Sequence, residues 1–171
     1  MGGIQRQAPM TAAESLALLG TVPLGRIGFT SKALPVIRPV NHIIDEGSIV
    51  IRSHEGAAIM SAARPAEGAV VAYEADAIDL EGHRGWSVVV TGVARLVTDP
   101  EEAARYRKLL RPWATGQADY VIRISPELVT GFRLSSENGN GPQLADGAMG
   151  PASAGTGHTS PTGRAGPSPG P

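Results

Sequence analysis

An arginine and a serine stand at the end of an apolar run, just before a segment typical of a helix start. Arg52 and Ser53 close the run SIVIRS, and the triplet Gly56-Ala57-Ala58 opens the segment GAAIMSAA. A guanidinium, a hydroxyl and the free amides of a helix start are groups that bind phosphate in proteins. This spacing predicts a phosphate-binding corner. The alternative interpretation of Arg52 is a solvated arginine at a strand end.

Two further side chains suit a flat heterocyclic ligand. Asn41 follows Pro39 in the run LPVIRPVNHII, which has another proline at position 35. Because proline has no N–H for a central ladder, we expect this strand to lie at an edge or a bulge, with backbone groups available to a ligand. Trp86 begins a later strand and offers a ring for packing on a heterocycle. The alternatives are that Asn41 caps a bulge and that Trp86 belongs to a core or an interface.

The remaining chemistry-bearing residues form no motif. His42, His54 and His83 are scattered, and the chain has no cysteine, so we expect no metal site. The acidic stretch 74–81 is expected to be a solvated loop between strands. No Ser/His/Asp arrangement is legible, so the residues alone indicate no acid–base or nucleophilic mechanism.

Short β-type runs predict the scaffold of these residues. Strands are expected over 25–30, 34–44, 48–53, 68–75, 86–97, 119–125 and 128–134. Helices are expected over about 12–19, 56–63 and 100–110, the first with a capping box from Thr11 and the last capped by Asp99. Short connections at 31–32 and 45–47 favour antiparallel neighbours. The fold class is therefore mainly β with inserted helices, a closed or partly split antiparallel barrel.

Length and composition place limits on the function. The 171 residues suit one domain, and a net charge of −1 gives no electrostatic reason to bind nucleic acid. No apolar run is long enough to span a membrane, and the absence of cysteine makes the cytoplasm the default compartment. We expect a flexible N-terminus over residues 1–10, the folded domain over 11–134, and a disordered Gly/Pro/Ser-rich tail over 135–171.

Six segments, taken in chain order, resemble a known family. They are GRIGF, LPVIRPVNH, IVIRS-HEG, GWSVVVTGVARLV, PW and YVIRISPELVTGFRL. They are similar to the pyridoxamine 5′-phosphate oxidase-like flavoproteins, the FMN-binding split barrels, and most of all to the small bacterial nitroimidazole-reductase-like members. The resemblance covers residues 11–134. It implies an antiparallel split β-barrel and a homodimer with FMN in clefts at the subunit interface.

The resemblance also implies roles for individual residues. The flavin ring and ribityl chain would be bound by Arg38, Pro39, Val40 and Asn41. The phosphate would be bound by Arg52 and Ser53, and Trp86 and Trp113 would lie near the ring or the partner subunit. Similar proteins open the next helix with a Gly-Thr-Lys-like triplet whose lysine contacts the phosphate, whereas this chain has Gly56-Ala57-Ala58. A charge and a hydroxyl are therefore missing from the expected phosphate site.

The function implied is that of a flavin-dependent oxidoreductase, in which the cofactor supplies the redox chemistry and the protein supplies binding and electrostatics. FMN is the expected cofactor, with a deazaflavin or haem as alternatives. The competing functions are a non-catalytic flavin, deazaflavin or haem carrier and a dimeric barrel without a cofactor.

Overall fold

The structure, a computed structural model, describes residues 5–63, 67–110 and 120–136. A single 3-10 turn over Met60–Ala62 follows the second helix. Along the described chain the strands and helices are β1 (Gln5–Met10), α1 (Ala12–Leu19), β2 (Leu24–Ser31), β3 (Leu34–Asp45), β4 (Ser48–Ser53), α2 (Gly56–Ile59), β5 (Ala69–Asp79), β6 (Arg84–Leu96), α3 (Pro100–Leu109) and β7 (Tyr120–Ser136).

The strands form one antiparallel sheet in the order β1-β7-β4-β3-β2-β5-β6. Strand β6 also pairs with β7, so the sheet closes into a barrel and β1 is added beside the end of β7. Strand β7 reaches three neighbours because it is 17 residues long: its first residues pair with β4 and its last with β1. The predicted mainly β antiparallel barrel with inserted helices is confirmed.

Two tight turns fix the register around β3. Lys32 and Ala33 join β2 to β3, and Glu46 and Gly47 join β3 to β4. All four residues have φ between +48° and +75°. A two-residue connection with both residues in the left-handed region matches the twist of antiparallel strands. The short connections expected at these two places are therefore hairpin turns.

The core lies inside the barrel and follows the alternation of the strands. Strand β5 shows this most clearly, since Val71, Tyr73 and Ala75 are buried and the residues between them face outward. Leu19 of α1 and Ile59 of α2 belong to the same buried cluster. A smaller cluster lies outside the barrel wall, where α3 packs; its members are Val50, Ala103, Tyr106, Leu110 and Val121.

The two longer helices begin where the sequence predicts. In α1 the Thr11 hydroxyl accepts the N–H of Glu14 at 3.2 Å, and the Glu14 carboxylate accepts the N–H of Thr11 at 2.8 Å. In α3 the Asp99 carboxylate accepts the N–H of Glu102 at 2.7 Å, with Pro100 in the first turn. Within the described ranges, none of the helices has the length and apolar content needed to cross a membrane.

The ends of the domain differ from the prediction. Residues 1–10 are expected to be flexible, but Gln5–Met10 form a strand that pairs with residues 131–136 of β7. The strand is held by backbone pairing and by Met10, which packs against the core, and such pairing leaves little trace in side-chain type. Ser135 and Ser136 belong to β7, and the rest of the predicted tail lies outside the described residues.

Two strands are longer than expected. The acidic stretch is not wholly a loop, because β5 continues to Asp79, with Glu74 and Asp76 turned outward and Ala75 inward. The last two predicted strands are one strand, β7, despite Pro126. Pro126 lies at a bulge in the β6–β7 ladder, between Thr91 and Gly92, where a missing N–H is tolerated.

Candidate functional site

Strands β3 and β4 pair over only four positions and then separate. The paired residues are 42–45 of β3 and 48–51 of β4. Beyond this ladder Arg52 and Ser53 pair only with β7, and the chain turns into α2. The opening is bordered by residues 38–41 on one side and 52–58 on the other, and we call these two segments the β3–β4 site. It contains most of the residues that the sequence predicts for ligand binding.

The prolines of β3 explain the open side of this site. The N–H of His42 donates to the carbonyl of Pro23, on the β2 side, at 3.0 Å. Because successive residues of an antiparallel strand point their backbone groups to opposite sides, Pro35 and Pro39 face away from β2. Neither proline therefore interrupts the β2–β3 ladder. The first half of β3 has β2 as its only described ladder partner, so the predicted edge position is confirmed for this half only.

Arg38 joins the two sides of the β3–β4 site. Its Nε donates to both carboxylate oxygens of Glu55, at 2.9 Å and 3.0 Å, and its Nη1 donates to the carbonyl of Ile37 at 3.0 Å. The Arg38 side chain is 49% exposed and that of Glu55 is 26% exposed. The residues predicted for a ring and those predicted for a phosphate are therefore brought together through a salt bridge. Glu55 was not among the predicted site residues.

Arg52 contacts the end of a helix. Its Nη1 donates to the carbonyl of Arg107 at 3.0 Å and to that of Leu110 at 2.9 Å, at the C-terminus of α3. Arg52 is half-buried, so the interpretation as a solvated strand-end arginine is wrong. Its neighbour Ser53 accepts the backbone N–H of Glu55 at 3.1 Å. Both predicted phosphate ligands thus lie in the site, and each also has a structural partner there.

The helix predicted after Ser53 is much shorter than expected. Instead of one helix over 56–63, a single α-helical turn is followed by a 3-10 turn. Gly56 is buried against the ring of Tyr120, and a side chain at this position would overlap that ring, so the glycine is needed for packing. Ala57 is exposed and Ala58 half-buried. A single turn has few aligned peptide dipoles, so the helix contribution to the expected phosphate site is small.

Trp86 lies in the core and not beside the β3–β4 site. It is 7% exposed, belongs to the main buried cluster and stands opposite Ala77 and Arg133 in the ladders of β6. Its placement corresponds to the core alternative, because a buried indole presents no face to a ligand at the surface of this chain. Trp113, the other predicted aromatic, lies outside the described residues.

A buried hydrogen-bonded pair lies directly behind the site. His42 is 3% exposed; its Nε2 is 2.8 Å from the Leu19 carbonyl and its Nδ1 is 2.7 Å from the Tyr73 hydroxyl. Since a carbonyl only accepts, Nε2 carries a proton and donates it to Leu19. The Tyr73 hydroxyl, also 3.4 Å from the Val40 carbonyl, then donates to Nδ1 of a neutral imidazole. Val40 of the site belongs to the same buried cluster as Tyr73.

Burial determines the titration of this pair. Loss of hydration lowers the pKa of His42, and the hydrogen bond to the Leu19 carbonyl only partly opposes this effect. Burial also raises the pKa of Tyr73 far above its usual value. Both side chains are therefore uncharged at neutral pH. The spacing of residues 42 and 73 gave no sign of this pairing, because it depends on β2 lying between their strands.

The arrangement suits a ligand with a flat polar ring and an anionic group. The open half of β3 offers backbone groups for a ring edge, and Arg38, Arg52 and Ser53 are donors for an anion. Among the described residues no group of three or more His, Asp or Glu side chains is placed to hold a metal ion.

Comparisons with known proteins agree with this architecture. The family model described as pyridoxamine 5′-phosphate oxidase matches residues 11–133. The chain is 44% identical over 146 residues to the uncharacterized protein Rv0080 of Mycobacterium tuberculosis, and the match covers 80% of this chain and 96% of that protein. The chain therefore belongs to the pyridoxamine 5′-phosphate oxidase family.

Two solved structures show the same fold at 32% sequence identity. The first is a candidate pyridoxamine 5′-phosphate oxidase from Corynebacterium glutamicum, with a TM-score of 0.65; the match covers 76% of this chain and 99% of that chain. The second is an FAD-binding protein from Mycobacterium smegmatis, with a TM-score of 0.57; the match covers 75% of this chain and 97% of that chain.

Proposed function

We propose that this protein binds a flavin at the β3–β4 site and acts as a flavin-dependent oxidoreductase on a small molecule. The observation that carries the proposal is the half-open strand β3, whose free side meets a cluster of anion-binding side chains. Family membership and the FAD-binding M. smegmatis relative support the same ligand class. A bound flavin would supply the transfer of a hydride or of single electrons.

The donor set of the site fits a flavin. The isoalloxazine ring has nitrogen and carbonyl groups along one edge, and an open strand edge offers complementary N–H and carbonyl groups. Arg38 stands on this strand, and Ser53 lies across the opening. Arg52 is held at the border of the site by the α3 carbonyls. The protein would thus bind and orient the cofactor.

The form of the flavin depends on the phosphate corner. FMN is implied by the family resemblance, and FAD is the ligand named for the M. smegmatis relative. The alanine at position 58 removes the lysine that similar proteins provide, which weakens the case for FMN.

We also propose that two copies of the chain associate through the outer face of β5, β6 and β7. Val70, Val89, Leu128 and Phe132 are all exposed on this face, at 68%, 39%, 60% and 37%. Exposed apolar side chains on one sheet face commonly mark an interface, and a two-fold axis would cover the same face on both copies.

An absorption spectrum of the purified protein tests the function. We expect flavin bands in the protein as isolated or after incubation with FMN or FAD, and bleaching of those bands by NADH or NADPH under nitrogen. Flavin bands without bleaching would favour a carrier. Protein that stays colourless after incubation with FMN, FAD, riboflavin, a deazaflavin and haem would refute cofactor binding.

A further inference from the structure

Glu55 already places a negative charge in the part of the β3–β4 site that is predicted to bind phosphate. Both oxygens of its carboxylate share the Nε–H of Arg38, the only fully charged donor on the β3 side of the site. A carboxylate and a phosphate compete for a guanidinium because each can present two charged oxygens to its N–H donors. Any phosphate that approaches Arg38 therefore meets Glu55 first.

The backbone fixes Glu55 in this position. Its N–H donates to the Ser53 hydroxyl at 3.1 Å, and its carbonyl accepts the N–H of Ile59 at 3.0 Å. Arg38 is fixed as well, because its Nη1 donates to the carbonyl of Ile37. The exposed ring of His54 also lies near Glu55, with its Nε2 3.7 Å from Oε1. Because further hydrogen bonds hold both residues, another anion displaces Glu55 from Arg38 less readily than it would displace one member of a mobile surface pair.

We propose that Glu55 determines which flavin this protein accepts, by selecting against the terminal phosphate of FMN. The proposal rests on the proposed flavin site. A phosphate monoester carries between one and a half and two negative charges at neutral pH, whereas each phosphate of a pyrophosphate diester carries one. Loss of Arg38 to Glu55 therefore costs FMN more binding energy than FAD, and riboflavin, which has no phosphate, is unaffected. The favoured flavin is FAD.

Titrations of the wild-type protein and Glu55→Gln with FMN, FAD and riboflavin test this proposal. Followed by flavin-fluorescence quenching at pH 8, where histidine side chains are neutral, Glu55→Gln should tighten FMN about tenfold or more. Riboflavin affinity should change less than twofold and FAD affinity should change by an intermediate factor. Glu81→Gln is the matched control, because it removes one negative charge from the exposed β5–β6 turn, and it should leave all three affinities unchanged.

The double variant Arg38→Gln with Glu55→Gln shows whether the effect passes through Arg38. If it does, the gain in FMN affinity disappears when Arg38 is absent. An unchanged ratio of FMN to riboflavin affinity in Glu55→Gln would overturn the proposal while leaving the flavin site intact. A gain that persists without Arg38 would also overturn it. If none of the three flavins binds to any variant, the proposed function itself fails, and this outcome is separate from the other two.

Discussion

His42 and Tyr73 form a polar pair that is buried without leaving either imidazole nitrogen unsatisfied. The imidazole donates to the Leu19 carbonyl and accepts from the Tyr73 hydroxyl, so each nitrogen has a partner. The two rings also meet edge to face, with centroids 5.2 Å apart. Strand β3 is thereby tied to α1 on one side and to β5 on the other. Tyr73 also belongs to the same buried cluster as Val40, one of the predicted ring contacts.

Removal of the Tyr73 hydroxyl should destabilise the fold. In Tyr73→Phe the buried Nδ1 of His42 loses its donor, and an unsatisfied buried polar group costs about 1–3 kcal/mol. We expect the free energy of unfolding in urea to fall by that amount. Tyr120→Phe is the matched control, since its hydroxyl makes no hydrogen bond to the described residues, and it should change stability by less than about 0.5 kcal/mol. Equal effects of the two changes would contradict the role of the pair.

The lowered pKa of His42 makes stability depend on pH. The unfolded chain binds a proton near pH 6.5, whereas the folded chain keeps His42 neutral to a lower pH. Stability from this residue is therefore complete above about pH 6.5 and is lost as pH falls, by up to about 1.4 kcal/mol per pH unit until the folded pKa is reached. Urea unfolding at pH 7 and pH 5 should show a larger loss in wild type than in His42→Gln. The same loss in both proteins would contradict this assignment.

At the scale of elements, the local signals in the sequence were sufficient where a single side chain sets a boundary. Thr11 and Asp99 begin their helices as capping residues, because a cap acts within one turn. The hydrogen-bond partners of Arg52 could not be predicted in this way. Its partners belong to α3, 55 and 58 residues away in sequence, and they meet Arg52 only after β4 and β7 pair. The short α2 and the core position of Trp86 likewise depend on tertiary packing.

Arg52 should contribute to the docking of α3. Its Nη1 satisfies two carbonyls at the end of this helix, where cations also interact favourably with the helix dipole. Arg52→Ala should therefore lower the free energy of unfolding of the flavin-free protein by about 1–2 kcal/mol. Arg84→Ala, which removes an exposed ion pair with Asp79, should cost less than about 0.5 kcal/mol. If the two variants are equally stable, Arg52 does not hold α3.

At the scale of the whole molecule, the outer face of β5, β6 and β7 carries exposed apolar side chains, and a second copy of the chain is their proposed partner. Leu128 is 60% exposed near the middle of this face, beside Thr91 of β6. A charge there would be buried in a two-fold interface without an opposite charge from the symmetry mate. Whether a sheet face is covered could not be predicted from strand patterns, since exposed apolar residues also occur singly on monomers.

Leu128→Asp should therefore dissociate the dimer. In sedimentation velocity at micromolar concentration we expect wild type to behave as a dimer and Leu128→Asp as a folded monomer. Leu80→Asp is the control, because Leu80 is 80% exposed in the β5–β6 turn, and it should remain a dimer. A monomeric wild type at these concentrations, with flavin present, would contradict the proposed interface.

The opening between β3 and β4 is the proposed position of the flavin. Amide hydrogen exchange followed by mass spectrometry, with and without saturating riboflavin, tests this position on the β3 side, because riboflavin has no phosphate to contact residues 52–58. A flavin ring bound along the open half of β3 should slow exchange in peptides that cover residues 36–41 and leave the β5–β6 turn at residues 80–83 unchanged. Riboflavin binding that leaves residues 36–41 unprotected, or protects only a different surface, would contradict the proposed site.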